Sequence, residues 1–198
     1  MAIRLPASER RTQLLNVALE EFAANGYHLT SMNQVAEAAG VTKPVLYQHF
    51  RSKKALYREL LEDVSVSLAE RIAEATAAAA SPRQQVQAGL LSYFTYVTDN
   101  RAAATILYGG GDRRDGEFSD AIRRVEETIV VAITPLIQVE GLDDEGRALL
   151  AHGVVGLTEG TSRHWVARGY RPGPEELAAR VAELAWAGLR GVHAPQRD

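Results

Sequence analysis

Apolar residues return every three or four positions along almost the whole chain, and no useful stretch alternates with period two. That pattern predicts amphipathic helices rather than half-buried strands. Leu14, Leu15, Ala18, Leu19 and Phe22 form the first stripe, with Ser8 as the expected N-cap and Asn25-Gly26 as the stop. Thr30 or Ser31 then caps a short helix that turns Met32, Val35, Ala36 and Ala39 inward and ends at Gly40. Thr42 caps a third helix over 43–50, with Pro44 in the first turn, where a missing N–H costs nothing.

A long helix starts near Ser52 with the stripe Leu56, Leu60, Val64, Leu68 and Ile72. Ser81-Pro82 restarts the chain, and Val86, Leu90, Tyr93, Phe94 and Val97 mark the next helix. Further helices are predicted over 102–108, 117–138, 143–168 and 174–191, with glycine-rich connections at 109–111 and 169–173. The expected fold is all-α, about nine helices. A three-helix unit over 1–52 is followed by a larger helical unit over 53–198, and the two are stiffly joined because the boundary sits at the start of the fourth helix.

Composition narrows the function. There is no cysteine, so disulfides, thiolate metal sites and cysteine nucleophiles are excluded. The N-terminus lacks the apolar core of a signal peptide. The longest strongly apolar run, 129–137, is far below the roughly 20 residues that a membrane helix needs. A cytoplasmic protein is expected. The net charge of −3 hides an asymmetry: residues 1–58 hold eight Lys/Arg and four Asp/Glu, residues 59–198 fourteen and twenty-one. All three lysines, Lys43, Lys53 and Lys54, fall within twelve positions in the basic part. An anionic partner for that end follows.

A helix, a short helix, a glycine-containing turn and another short helix is helix-turn-helix geometry. A third helix entering a major groove by its N-terminal end presents Thr42, Lys43, Pro44, Val45 and Tyr47. Lys43 reaches a guanine edge or a phosphate, and Pro44 and Val45 suit a thymine methyl. Thr30 and Ser31 at the start of the second helix, and Lys53 at the start of the fourth, are expected phosphate partners. Arg4, Arg10 and Arg11 are expected to form a basic arm.

The stretch 13–56 resembles the DNA-binding domain of TetR-family regulators. The resemblance is carried by Ala18, Phe22, Gly26-Tyr27, Thr30, Val35-Ala36, Ala39-Gly40-Val41-Thr42, Leu46-Tyr47, His49-Phe50, Ser52-Lys53 and Leu56, without insertions. Pro44 departs from the small residue often found there, which bears on base preference. The resemblance implies that Tyr47 and His49 contact the DNA backbone. It also implies that the protein is a ligand-responsive transcription regulator, most often a repressor, and that it is no enzyme. The family's last two long helices pair with their copies in a dimer. Gly153, Gly156 and Gly160, one face of a helix where each glycine costs roughly 1 kcal/mol, together with Leu177, Val181 and Leu184, are the expected interface. An effector cavity among the middle helices is implied too, with Tyr93, Phe94, Tyr96, Tyr108, Phe118 and Trp165 as candidate walls. Its balance of apolar walls and few charges suits a lipophilic effector, such as a fatty acyl or acyl-CoA compound. Arg123, Arg124, Arg163 and Arg168 are candidate partners for an anionic head.

Other chemistry finds no motif. Gly109-Gly110-Gly111-Asp112 lacks the Gly-Lys-Ser/Thr of a phosphate loop. His152 and His164 are not at metal-pair spacing, and no Gly-x-Ser-x-Gly occurs. No cofactor and no metal are expected.

Overall fold

The computed structural model describes residues 6–109 and 116–192. These form α1 (Ala7–Leu29), α2 (Met32–Ala38), α3 (Lys43–His49), α4 (Lys53–Ala77), α5 (Pro82–Asp99), α6 (Arg101–Tyr108), α7 (Gly116–Ile133), α8 (Asp144–Ala167) and α9 (Pro174–Gly191). The expected all-α architecture is the one observed, and no strand occurs among the described residues.

Most boundaries fall within a residue of the sequence reading; the larger differences have local causes. Helix α1 starts two residues earlier, with Pro6 at the N-cap position and Ser8 inside the first turn. Gly26 takes φ 75° and ψ 159°, so the chain kinks there but resumes helical hydrogen bonding to Leu29. Helix α7 ends at Ile133, five residues before the expected 138. Pro135 cannot donate the next bond and disfavours α geometry at Thr134, so the chain tightens into a 3-10 turn, Thr134–Leu136.

The caps follow the residue types. Ser31 rather than Thr30 caps α2, in a full capping box: its Oγ accepts from the Gln34 N–H at 3.2 Å, and its own N–H donates to Gln34 Oε1 at 2.8 Å. Ser52, Ser81 and Asp143 cap α4, α5 and α8 through their side-chain oxygens, which accept from the N–H three residues on. The α2–α3 turn is closed by Gly40 at φ 65°, with Val41 N–H donating to Ala36 O at 2.9 Å and Gly40 N–H to Glu37 O at 3.0 Å. A side chain at that φ would be strained, which is why glycine stands there.

Helix α5 lies between α4 and α9; α7 lies along α4, and α8 meets α7 and α6. Helix α1 packs on both α4 and α6. The start of α4 coincides with the expected division after residue 52, yet buried residues form one continuous core through it. Phe22, Tyr57, Phe50 and Leu46 fill its first part, and Phe94, Trp165 and Leu60 the rest.

Candidate functional site

Helix α3 is pinned from beneath by Leu46 and Phe50, both essentially inaccessible, while Val45 is half-buried. Its outer face carries Thr42, Lys43, Pro44, Tyr47 and Gln48, all exposed. Tyr47 is 42% exposed, with the Lys43 ammonium 6.0 Å from its ring centroid. Thr42 sits at the N-cap position but makes no capping hydrogen bond. Ser31, at the start of α2, is also exposed, and His49 closes α3 half-buried. A cation, hydroxyls and a phenol are thus exposed on α3 and at the start of α2, which suits contact with a phosphate backbone.

Two expected phosphate partners are committed elsewhere. Thr30 is 1% exposed, and its hydroxyl donates to Gly26 O at 2.8 Å and Glu21 O at 3.2 Å. It fastens the end of α1. Lys53 points back across the fold. Its ammonium donates to the carbonyls of Tyr27 (2.8 Å), Thr30 (2.8 Å) and His28 (3.4 Å) and lies 4.3 Å over the Tyr27 ring. All three donors are thereby used on the C-terminal carbonyls of α1, which a cation satisfies.

The basic arm is corrected as well. Arg4 lies outside the described residues, and Arg10 donates to Gln13 at 2.7 Å. Arg11 turns inward to the junction of α1, α3 and α4. It pairs with Glu59, donates to His49 O at 3.0 Å and lies over Phe50. Spacing gave no hint of this junction, because its members are dozens of residues apart.

A cavity of about 110 Å³ lies among α4, α5, α6, α7 and α8. Aliphatic side chains dominate its wall, among them Ile72, Val86, Leu107, Ile122, Val125 and Ile129. The i, i+4 repeat of Val125, Ile129 and Ile133 is the signal that could have found α7's share. Of the six aromatic candidates, Tyr93 and Tyr108 line it. Their hydroxyls share a hydrogen bond, and Tyr93 reaches Ser162 at 3.1 Å. Phe94, Tyr96 and Trp165 do not line it; they are core. Trp165, 1% exposed, packs edge-on against Phe94 and Tyr170 and donates its indole N–H to Pro172 O at 2.7 Å, fixing the α8–α9 corner. Burial pushes the Tyr96 hydroxyl pKa up, so it stays protonated. The side chain of Phe118 lies outside the described residues. None of Arg123, Arg124, Arg163 and Arg168 reaches the wall; its carboxylates among the described residues are Glu126 and Glu159, and it holds no Lys, Arg or His among them. Arg123 instead bridges Asp120 and Glu127, which raise its pKa, and Arg163 faces Glu159.

The expected dimer residues divide. Gly153, Gly156 and Gly160 lie on an exposed face of α8 with Leu149, and Leu184 is exposed on α9. Leu177 and Val181 are buried within the protomer on the side of α9 that packs against the core. Among the described residues no helix is long and apolar enough to cross a membrane.

Known proteins share this arrangement. Residues 14–60 match the family described as bacterial regulatory proteins, tetR family, and residues 82–188 match the tetracyclin repressor-like C-terminal domain. The HTH-type transcriptional activator FasR of Mycolicibacterium smegmatis is 30% identical over 191 residues, 96% of this chain and 87% of that protein. The transcriptional repressor KstR2 of the same organism is 32% identical over 103 residues, 52% of this chain and 49% of its own. The fatty acid degradation regulator FadR of Bacillus halodurans superposes with a TM-score of 0.81 at 18% identity, covering 94% of this chain and 98% of that one. FadR of Bacillus subtilis, solved in complex with stearoyl-CoA, gives 0.78 at 20% identity, covering 92% and 99%; at such identities the likeness is one of fold. With both halves of the fold matched, the chain belongs to the TetR family of DNA-binding transcriptional regulators.

Proposed function

We propose that this regulator binds a two-fold operator as a dimer, through α3, and loosens its hold when a lipophilic molecule, an acyl chain foremost, enters the apolar cavity. The carrying observation is how that cavity is attached. Helix α4 supplies Ile72 and Thr76 to its wall and α6 supplies Leu107 and Tyr108, and both helices pack on α1. At 110 Å³ the cavity is smaller than the about 150 Å³ that accommodates benzene in an engineered core. An acyl chain must therefore part its walls. Interiors packed like crystals pass such a displacement on rather than absorb it.

Tilting α1 carries α3 with it through Arg11. Half-sites lie about 34–36 Å apart per helical turn, so a changed separation of the two α3 copies lowers affinity. A few kilocalories per mole of differential affinity suffice to shift the population. In this reading the groove-facing set is Ser31, Thr42, Lys43, Pro44, Val45, Tyr47 and His49, and the dimer forms through the exposed glycine face of α8 with Leu184 of α9. The stearoyl-CoA complex of the Bacillus subtilis protein supports an acyl effector, and the KstR2 likeness supports repression. The FasR match over nearly the whole chain favours a second reading, activation. Both share the same ligand-linked release.

Selecting bound fragments from random DNA tests the core of this. Operators should bind about 10³-fold or more tighter than random DNA at one stated salt concentration. Adding dodecanoyl-CoA or dodecanol should then lower operator affinity. Absence of sequence preference, or operator affinity that ignores bound ligand, overturns the reading. A promoter–reporter fusion gives the sign of regulation.

A further inference from the structure

A second cleft, about 290 Å³, opens where the start of α5, the 3-10 turn and the end of α9 meet. It shares five wall residues with the inner cavity: Pro82, Val86, Leu136, Ile137 and Leu189. The two differ in that a cation lines the outer one alone. The inner wall is mainly aliphatic, and among the described residues it holds the carboxylates Glu126 and Glu159 but no Lys, Arg or His. The outer cleft adds the half-buried ring of Trp186, the exposed Arg190 and the carboxylate of Glu140. The other arginine of α9, Arg180, is tied to Glu176, whereas Arg190 has no ion pair among the described residues.

From this we infer that the two cavities are one bipartite site, in which the chain of an amphiphile enters the inner cavity and its anionic head group rests in the outer cleft against Arg190 and Trp186. This rests on the acyl effector proposed above and adds where the head lies and what charge it carries. Size supports it: the inner cavity holds no more than a short segment before its walls part, and the five residues common to both walls put the outer cleft next to it. Charge supports it too. Glu126 and Glu159 disfavour an anionic head inside, and the cation stands at the exit. The anion's source is a carboxylate or the phosphates of a nucleotide carrier. Trp186 separates the two, since a nucleotide ring can stack on an indole and a bare carboxylate cannot.

The test measures binding of dodecanoate, dodecanoyl-CoA and dodecanol, matched in chain length, to the full-length protein by calorimetry. Arg190→Gln should weaken both anionic ligands about ten-fold while leaving dodecanol within about two-fold. Arg190→Lys should recover most of the loss. If Trp186→Leu weakens dodecanoyl-CoA alone, the head is the nucleotide; if it weakens both anions, the carboxylate itself lies against the ring; if it weakens neither, the placement of the head on Trp186 is overturned. Unchanged anion binding by Arg190→Gln, with all three probes bound by the wild type, overturns the bipartite site and leaves the acyl-effector reading intact. An equal loss of dodecanol also overturns it, because the effect is then on the fold. No binding of any probe to the wild type overturns both.

Discussion

The guanidinium of Arg11 lies 4.6 Å over the ring of Phe50, the C-cap residue of α3. The same group donates to the His49 carbonyl at 3.0 Å and pairs with Glu59 of α4. One planar cation therefore holds α1, the end of α3 and α4 together. Arg11→Ala should cost about 1–2 kcal/mol, the sum of a partly exposed cation–π contact and a screened ion pair. Arg11→Lys should recover little, because an ammonium cannot stack and fork at once. Chemical denaturation reads the loss. Operator affinity should fall by more than the stability change explains, since α3 loses its clamp; equal affinity would remove Arg11 from the coupling route.

Lys53 gives a sharper choice between two roles. As a phosphate ligand, its loss would lower the slope of log affinity against log salt by about 0.9 for each phosphate released. As the cap of α1, with Nζ at 2.8 Å from the Tyr27 and Thr30 carbonyls, its loss strikes stability instead. Lys53→Met should destabilise by about 1–2 kcal/mol, the range for hydrogen bonds from a charged donor in a partly exposed place. The salt slope should hold. A reduced slope with unchanged stability would restore the phosphate role.

These two residues show where the sequence was legible and where it was not. The helix-turn-helix could be read because its determinants are local. Gly40, the Ser31–Gln34 box and the spacing of Met32, Val35 and Leu46 all act within a few positions. Lys53 misleads because its acceptors lie more than twenty residues upstream, and a lysine at a helix start looks the same whether it faces out or back. The cavity was legible as a region but not by residue. Aromatic side chains are equally good as wall and as core, and here Phe94 and Trp165 are core while Val125 and Ile129 line the space. Helix α9 has apolar residues on two faces, so periodicity alone could not assign Leu177 inward and Leu184 outward.

On the groove face, Tyr47 and Lys43 separate positioning from base reading. Tyr47 is exposed and its neighbours Leu46 and Phe50 carry the packing, so Tyr47→Ala should leave the melting curve within about 0.5 kcal/mol. It should weaken operator and random DNA alike, the signature of a backbone contact. Lys43→Gln should lower operator affinity more than random-DNA affinity if Lys43 reads a guanine, by about 1–3 kcal/mol. Equal losses from Lys43→Gln would make it a phosphate ligand. No loss from Tyr47→Ala would place the groove elsewhere.

The glycine face of α8 can be tested with a substitution that favours the protomer. A Cβ built at Gly153 or Gly156 meets nothing within 4 Å in the protomer. Replacing Gly156 by a larger residue removes the helix-interior cost of glycine, roughly 0.3–1 kcal/mol. Helicity of the isolated protomer should therefore hold or rise in Gly156→Trp. If a partner's helix packs closely on this face, with Leu149 and Leu184 (71% and 62% exposed in the protomer) beneath it, the indole has no room. Sedimentation should then show a dimer for the wild type and a monomer for Gly156→Trp, with operator affinity lost because two half-sites can no longer be bound as a unit. A Gly156→Trp dimer of wild-type affinity would mean that α8 keeps its glycines for some purpose other than this contact.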